Sequence, residues 1–214
     1  MRYINRLPKP QILVEKEQHW TSQFLSSTNK RPDSSKYRHP DILATLNSMS
    51  FHKCFYCEQK LKGVPSEIDH FIEVDERREL AYNWDNLYLS CTNCNNKLPN
   101  KSISVKDALD ACFDADEVIE KHLYFEKECI KARGNSNIGA KTIQKYKLDT
   151  IQLDLLRSRK LTDFYNVLLK IKDLQIKQKR SSLTIDEKEK LLQFANNDSS
   201  FSLMFKLLLR KIGI

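Results

Sequence analysis

Cys54-Phe55-Tyr56-Cys57, Glu67-Ile68-Asp69-His70-Phe71, Trp84-Asp85-Asn86-Leu87 and Cys91-Thr92-Asn93-Cys94-Asn95-Asn96-Lys97 follow one another within a single short stretch of this chain. Two Cys-x-x-Cys turns bracket an Asp-His pair. Each turn presents two thiolates, and two turns complete a tetrahedral shell around one zinc ion with bonds of about 2.3 Å. Four thiolates leave no open position, so such an ion is structural. Disulfides are the competing use of these cysteines, and a reducing compartment disfavours them. The 33 residues between Cys57 and Cys91 exceed a zinc-ribbon spacing. They must therefore fold and bring the chain back to the first turn.

That interval has a strand pattern. From Glu67 to Ile72, Ile68, His70 and Ile72 alternate with Glu67, Asp69 and Phe71. Leu87-Tyr88-Leu89 is a second short apolar run leading into the second cysteine turn, and a helix is expected after Cys94, limited by Pro99. Strand, loop, strand and helix around a metal make a ββα-metal arrangement.

These residues resemble the zinc-knuckle variety of HNH endonucleases. The motif of that family runs Asp-His, then Asn, then His or Asn directly after the last cysteine; here Asp69-His70, Asn86 and Asn95 stand at those places. Asn95 replaces the second histidine that gives the family its name. The lysine often found three residues further on is displaced to Lys97. The resemblance implies phosphodiester hydrolysis. In that reading His70 is the general base, Asp69 and Asn95 hold a catalytic Mg²⁺ or Mn²⁺, and Asn86 orients His70. Cys54, Cys57, Cys91 and Cys94 bind the structural Zn²⁺. The residue types suit this chemistry. A neutral imidazole can accept a proton near its ordinary pKa of about 6.5, and amide and carboxylate oxygens are hard ligands for Mg²⁺ or Mn²⁺. Lys97 and Lys101, on the segment after the motif, are candidate phosphate contacts. Arg77 and Arg78 lie among Glu73, Asp75, Glu76 and Glu79 and are read as a solvated loop.

Further similarity lies in the order of Arg2-Tyr3-Ile4, Lys36-Tyr37-Arg38-His39-Pro40-Asp41, Glu67 to Phe71 and Ser90-Cys91 to Asn96. It is to the HNH nucleases of Septu and some retron anti-phage systems. That implies a PtuA-like ATPase partner of the ABC/SMC type, a retron reverse transcriptase with its msDNA in some systems, and a nucleic-acid substrate, DNA or tRNA. The rival from another class is a zinc-stabilised binding module without catalysis. Asp69 and His70 are both present, which favours the enzyme. A basic DNA-binding regulator finds no helix-turn-helix pattern.

The chain has 214 residues, enough for one or two domains, and its 4 glycines and 6 prolines argue against low complexity. No apolar run reaches the roughly 18 residues of a membrane span. The Met1 to Arg6 start is not followed by the apolar segment of a signal peptide, so a cytoplasmic location is expected. Cys112 and Cys129 remain as free thiols. The net charge of +8 is unevenly placed: residues 1–140 carry 20 basic and 20 acidic side chains, residues 141–214 carry 16 and 8. A basic excess suits polyanions.

The expected class is α+β, with the ββα-metal core embedded in a mainly helical protein. Residues 1–50 form an N-terminal arm with helices at Leu13 to Leu25 and Asp41 to Met49. Residues 51–140 form the nuclease domain, with a helix over Val105 to Glu120 and a strand over His122 to Ile130. His122 is read as a surface residue, and Gly134 to Gly139 as a turn-rich boundary. Residues 141–214 form a basic helical region. There Thr142 is a helix cap, and Leu148, Ile151 and Leu155 and then Leu161, Phe164, Leu168 and Ile171 are core faces. Thr184 opens a capping box, and Phe201, Met204, Phe205, Leu208, Leu209 and Ile212 form one helical face. Leu203 and Leu207 widen it and leave apolar surface for a partner.

Overall fold

The computed structural model describes residues 1–214. Its helices are α1 (Gln11–Ser26), α2 (Ser34–Tyr37), α3 (Pro40–Ser50), α4 (Thr92–Asn95), α5 (Asp116–His122), α6 (Asn137–Tyr146), α7 (Ile151–Lys177), α8 (Ile185–Leu192) and α9 (Ser202–Lys211). Its strands are β1 (Ser66–His70), β2 (Leu87–Cys91), β3 (Leu123–Glu126) and β4 (Cys129–Ala132), which make two separate antiparallel pairs, β1–β2 and β3–β4. No helix is long and apolar enough to cross a membrane.

The β1–β2 hairpin stands at the centre. Its register pairs Asp69 with Tyr88 and Glu67 with Ser90, so these four side chains share one face. β2 is buried along its whole length, which explains its unbroken apolar start. The helix expected after Cys94 is instead the single turn α4, opened by Cys91, whose sulfur accepts from the Cys94 amide.

The largest core is continuous from Met1 and Leu13 through the cysteine turns to Ile143, Tyr146, Leu148 and Leu203. Packing therefore runs straight across the Gly134 to Gly139 break. Gly134 is a turn glycine with φ +55°, whereas Gly139 lies inside α6, where a Cβ would come within 2.2 Å of the His122 carbonyl oxygen. A second core joins α7, α8 and α9 through Leu161, Phe164, Ile171, Leu191, Phe205 and Leu209.

Several local expectations are corrected. Val105–Asp107 is only a 3₁₀ turn, and the helix begins at Asp116. Tertiary bonds hold the intervening backbone instead: the Leu109 amide donates to Thr142 Oγ1 and the Ala111 carbonyl accepts from Ile4. Thr142 is thus a mid-helix anchor, and the cap of α6 is Ser136. The strand expected over His122 to Ile130 is a hairpin turning at Lys127, which adopts φ +55° without being glycine. Its His122 is half-buried, with Nδ1 2.7 Å from the Ser136 hydroxyl. On α7, Ile151 and Leu155 face outward; Leu153 and Arg157 take the inward places. Arg157 can do so because its guanidinium donates to the Leu148 carbonyl and to Asp154. The Thr184 capping box is present, and α9 buries Leu203, Met204, Phe205 and Leu209.

Glu58, just after the first cysteine turn, ties Met1 and the start of α9 to the core. Its fully buried carboxylate accepts from the Met1 ammonium (2.9 Å), the Ser202 hydroxyl (2.6 Å) and the Leu203 amide (3.3 Å). Burial alone would raise its pKa, but the Met1 and Lys53 ammoniums and the Ser202 hydroxyl outweigh it and bring it down to about 2. A depressed carboxyl pKa stabilises the fold above the unfolded value near 4.5 and loses that contribution as pH falls toward 2. The wild type should therefore exceed Glu58→Gln in stability by on the order of 3 kcal/mol at neutral pH. Urea midpoints of the two proteins between pH 5 and 2.5 should converge; a constant gap would show that the charge is not the cause.

Candidate active site and metal centre

The two cysteine turns meet. The sulfurs of Cys54, Cys57, Cys91 and Cys94 are buried and all lie within 4.8 Å of one another. Cys57 Sγ and Cys91 Sγ are 3.7 Å apart, far from the roughly 2.05 Å of a disulfide. Tetrahedral bonds of about 2.3 Å place thiolates about 3.8 Å apart. Burial holds the Cys57 thiol protonated, and bonds from neighbouring sulfurs hold the Cys94 thiol protonated while favouring the thiolate at Cys91. Four buried sulfurs at this spacing are a donor set that fits zinc, a dication that favours the thiolate form of its ligands. This is the one grouping of three or more Cys, His, Asp or Glu ligand atoms in the molecule. Cys112 and Cys129 are free and half-buried, and burial pushes the Cys112 thiol up to about 12.

On the hairpin beside this cluster, Asp69 and His70 end β1. The ring of His70 is fixed by Nε2, 2.8 Å from the Ala81 carbonyl oxygen, and by the edge of Tyr37 at 5.0 Å. A carbonyl can only accept, so Nε2 carries the hydrogen and Nδ1 keeps its lone pair. Burial lowers the His70 pKa, which keeps the ring neutral.

Asn86 places the carbonyl that does this. Its Oδ1 accepts from the Ile72 amide (2.7 Å), and its Nδ2 donates to the Ile72 and Leu80 carbonyls (3.0 and 3.2 Å). Every polar atom of this buried side chain is thereby used to close the β1–β2 loop and bring Ala81, next to Leu80, onto His70. Asn86 touches the loop backbone and no open space.

Asp69 is held on one oxygen. Oδ2 accepts from the buried Tyr56 hydroxyl (2.5 Å) and from Lys97 Nζ (2.7 Å), while Oδ1 has no protein donor. Lys97 also donates to the His70 and Phe71 carbonyls at 2.6 and 2.9 Å. This corrects the reading of Lys97 as a phosphate contact: three oxygens satisfy its ammonium inside the protein, and 4% of its side chain is exposed. Lys101 is exposed. Asn95 is also exposed, with Oδ1 3.5 Å from the Ser90 hydroxyl; Ser90 stands on the same hairpin face as Asp69. Of the loop arginines, Arg78 is structural, donating to the Phe24, Ser27 and Asn29 carbonyls at the end of α1, whereas Arg77 is solvated as expected and pairs with Glu79 at the surface.

Sequence reasoning missed Tyr56, Lys145 and Tyr146. Tyr56 stacks on Tyr146 at 4.4 Å, and burial keeps its phenol protonated as a donor to Asp69. Lys145 is fully buried and donates to the Leu98 and Ile103 carbonyls and to Asn100 Oδ1, fixing the loop after the motif. Tyr56 sits inside the first cysteine turn, where only its position flags it. Lys145 and Tyr146 are distant in sequence from every motif residue and carry no local signal.

The comparisons agree with this geometry. Residues 54–101 match the family model described as HNH endonuclease. Over 199 residues the chain is 29% identical to the Septu protein PtuB of Bacillus thuringiensis, and it spans 92% of its own length and 66% of that relative's. The segment holding the paired cysteine turns, the hairpin and the Asp69-His70 pair is therefore a domain of the HNH endonuclease family, within a chain homologous to PtuB.

Proposed function

We propose that this chain is a metal-dependent endonuclease that hydrolyses phosphodiester bonds of nucleic acid, with His70 as general base. The observation that carries this reading is the neutral His70 ring, its Nε2 committed to Ala81 and its Nδ1 left without a protein partner, directly beside an Asp69 whose Oδ1 is also free. Nδ1 takes a proton from water as the water oxygen bonds to phosphorus and the scissile P–O bond breaks, its electron pair leaving with the departing oxygen. Asp69 Oδ1 and Asn95 Oδ1 are hard donors that fit Mg²⁺ or Mn²⁺. Such an ion supplies positive charge against the phosphate oxygens and the leaving oxygen. Tyr56 and Lys97 hold Asp69, and Asn86 holds the loop that aligns His70. Lys101 is the exposed lysine proposed to meet the nucleic-acid backbone.

By its similarity to the Septu relative, the chain acts in an anti-phage complex with a PtuA-like ATPase of the ABC/SMC type, in the cytoplasm. In retron-type systems it would also act with the reverse transcriptase and its msDNA. Incubating the protein with DNA and with tRNA, with Mg²⁺ or Mn²⁺, alone and with the ATPase, tests this. Metal-dependent cleavage lost in His70→Ala supports it. Binding without cleavage under every condition would favour the zinc-stabilised binding module.

Two metal titrations probe the proposed ligands. Asn95→Ala should weaken Mn²⁺ binding by about tenfold, while Asn96→Ala leaves it unchanged; equal effects would remove Asn95 from the ligand set. Lys97→Met removes a positive charge that touches Asp69, so Mn²⁺ should bind about threefold tighter or better. Cleavage at saturating Mn²⁺ should nonetheless fall about tenfold, because the His70 and Phe71 carbonyls lose their anchor. Weaker Mn²⁺ binding in this variant would show that the ammonium supports the cation site rather than competing with it.

A further inference from the structure

Helix α2 buries none of its four residues, yet it is tied to the nuclease motif at three points. The Asp33 amide, just ahead of it, donates to the Tyr82 hydroxyl (3.0 Å). The edge of the Tyr37 ring meets His70 at 5.0 Å. Arg38, just after it, donates to the Glu67 carboxylate and to the Ser66 carbonyl at the start of β1. A turn that buries nothing adds little to a core. What its anchoring fixes is the place of its polar side chains beside His70.

Two of those side chains have donors to spare. Tyr37 is half-buried, and its hydroxyl makes no hydrogen bond within the protein. Burial keeps the phenol protonated against the pull of Arg38 and Arg31, so it is a neutral donor. The Arg38 guanidinium has five N–H groups, of which two are engaged, one by Glu67 and one by Ser66. The Arg38 side chain is 41% exposed and that of Glu67 35%. An ion pair this open contributes little. It can be exchanged for a phosphate, which accepts two parallel N–H bonds from a guanidinium. Tyr37 thus touches the proposed base, and Arg38 touches the strand two residues ahead of Asp69, about 7 Å away.

The charge around these residues suits a polyanion. Residues 27–39 hold Lys30, Arg31, Lys36 and Arg38 against Asp33 alone, whereas residues 1–140 as a whole are neutral. Of the acids in the loop after β1, Glu73 and Glu76 lie within electrostatic reach of the buried Lys145, and Glu79 pairs with Arg77. Lys97 is sealed inside, whereas Arg38 is an exposed cation tied to β1 itself.

We propose that Arg38 and the Tyr37 hydroxyl grip a backbone phosphate of the nucleic-acid strand that enters the His70–Asp69 site, Arg38 leaving Glu67 as the phosphate binds. The grip rests on the nuclease reading for what occupies the site, but it is measured as binding, without cleavage.

The test uses the full zinc-loaded chain without added Mg²⁺ or Mn²⁺, a labelled mixed-sequence DNA duplex and a labelled tRNA. Fluorescence anisotropy reads affinity at several salt concentrations. Arg38→Gln keeps an amide donor for Glu67 and Ser66 but removes the charge. It should weaken binding of the preferred probe at least about tenfold and reduce the slope of log affinity against log salt by about one. Tyr37→Phe should weaken binding about threefold to tenfold with the slope unchanged, as expected for one neutral hydrogen bond. Glu67→Gln frees Arg38 and should hold affinity or raise it by up to about threefold. Zinc content and thermal midpoint should be unchanged in all three variants. If Glu67→Gln weakens binding as far as Arg38→Gln does, the pair only braces β1 and the proposal is overturned. Wild-type affinity in Arg38→Gln or Tyr37→Phe, or no binding of either probe, would overturn it too. A wild type that binds through Arg38 but never cleaves with Mg²⁺ or Mn²⁺ would instead sink the nuclease reading and leave the grip standing.

Discussion

Cys91→Ala should cost the protein its zinc and its tertiary structure together. Cys91 closes β2, caps α4 and lies 3.7 Å from Cys57, so one substitution removes a ligand and a helix cap and opens the centre of the largest core. Structural zinc contributes about 10–16 kcal/mol in small peptides, and whole domains are stable by about 5–15 kcal/mol. Loss of the ion is therefore comparable with the whole stability of the fold. Metal analysis should find about one zinc per wild-type chain and none in the variant, and the near-ultraviolet circular dichroism of the variant should collapse. A folded variant that lacks zinc would make the ion dispensable. Soluble, reduced wild type without zinc would rule out the metal centre.

His70→Ala should do the reverse, removing cleavage while leaving zinc and fold in place. The ring makes one hydrogen bond, to Ala81, and one edge contact, with Tyr37. It is neither a zinc ligand nor a member of the main core. Loss of a general base typically lowers the rate about 10²–10⁴-fold. Single-turnover cleavage, zinc content and thermal midpoint of the same preparation separate the two roles. Cleavage near the wild-type rate would place the base elsewhere. Cleavage lost together with zinc would make His70 structural.

The candidate site was readable where its residues are close in sequence and each carries its own chemistry. Paired cysteine turns have few uses, and an Asp-His pair between two short apolar runs has a strand to sit on. The surrounding fold was less readable, for physical reasons. Ala108 to Ala111 has helical composition, yet its Leu109 amide and Ala111 carbonyl bond to Thr142 and Ile4, partners far away in sequence. The β3–β4 turn uses Lys127 at positive φ, where glycine or asparagine would have announced it. On α7 the inward Arg157 disguised the buried face, and the outward Ile151 and Leu155 supplied a competing apolar period. Lys97 was misjudged for a related reason. A lysine after a metal motif is read as reaching outward, but three oxygens converge on its ammonium from within.

Glu58 has a consequence for the order in which the molecule can be made. Its carboxylate waits for partners far apart in sequence, the Met1 ammonium and the Ser202 hydroxyl and Leu203 amide. During synthesis the cysteines and the Asp69-His70 pair leave the ribosome long before α9 does. A chain stalled ahead of residue 202 carries all the residues of the nuclease motif around a buried acid still short of its C-terminal partners. The motif is read early by translation and its support is finished late, so a copy terminated before residue 202 leaves the first cysteine turn beside a buried carboxylate without its Ser202 and Leu203 donors.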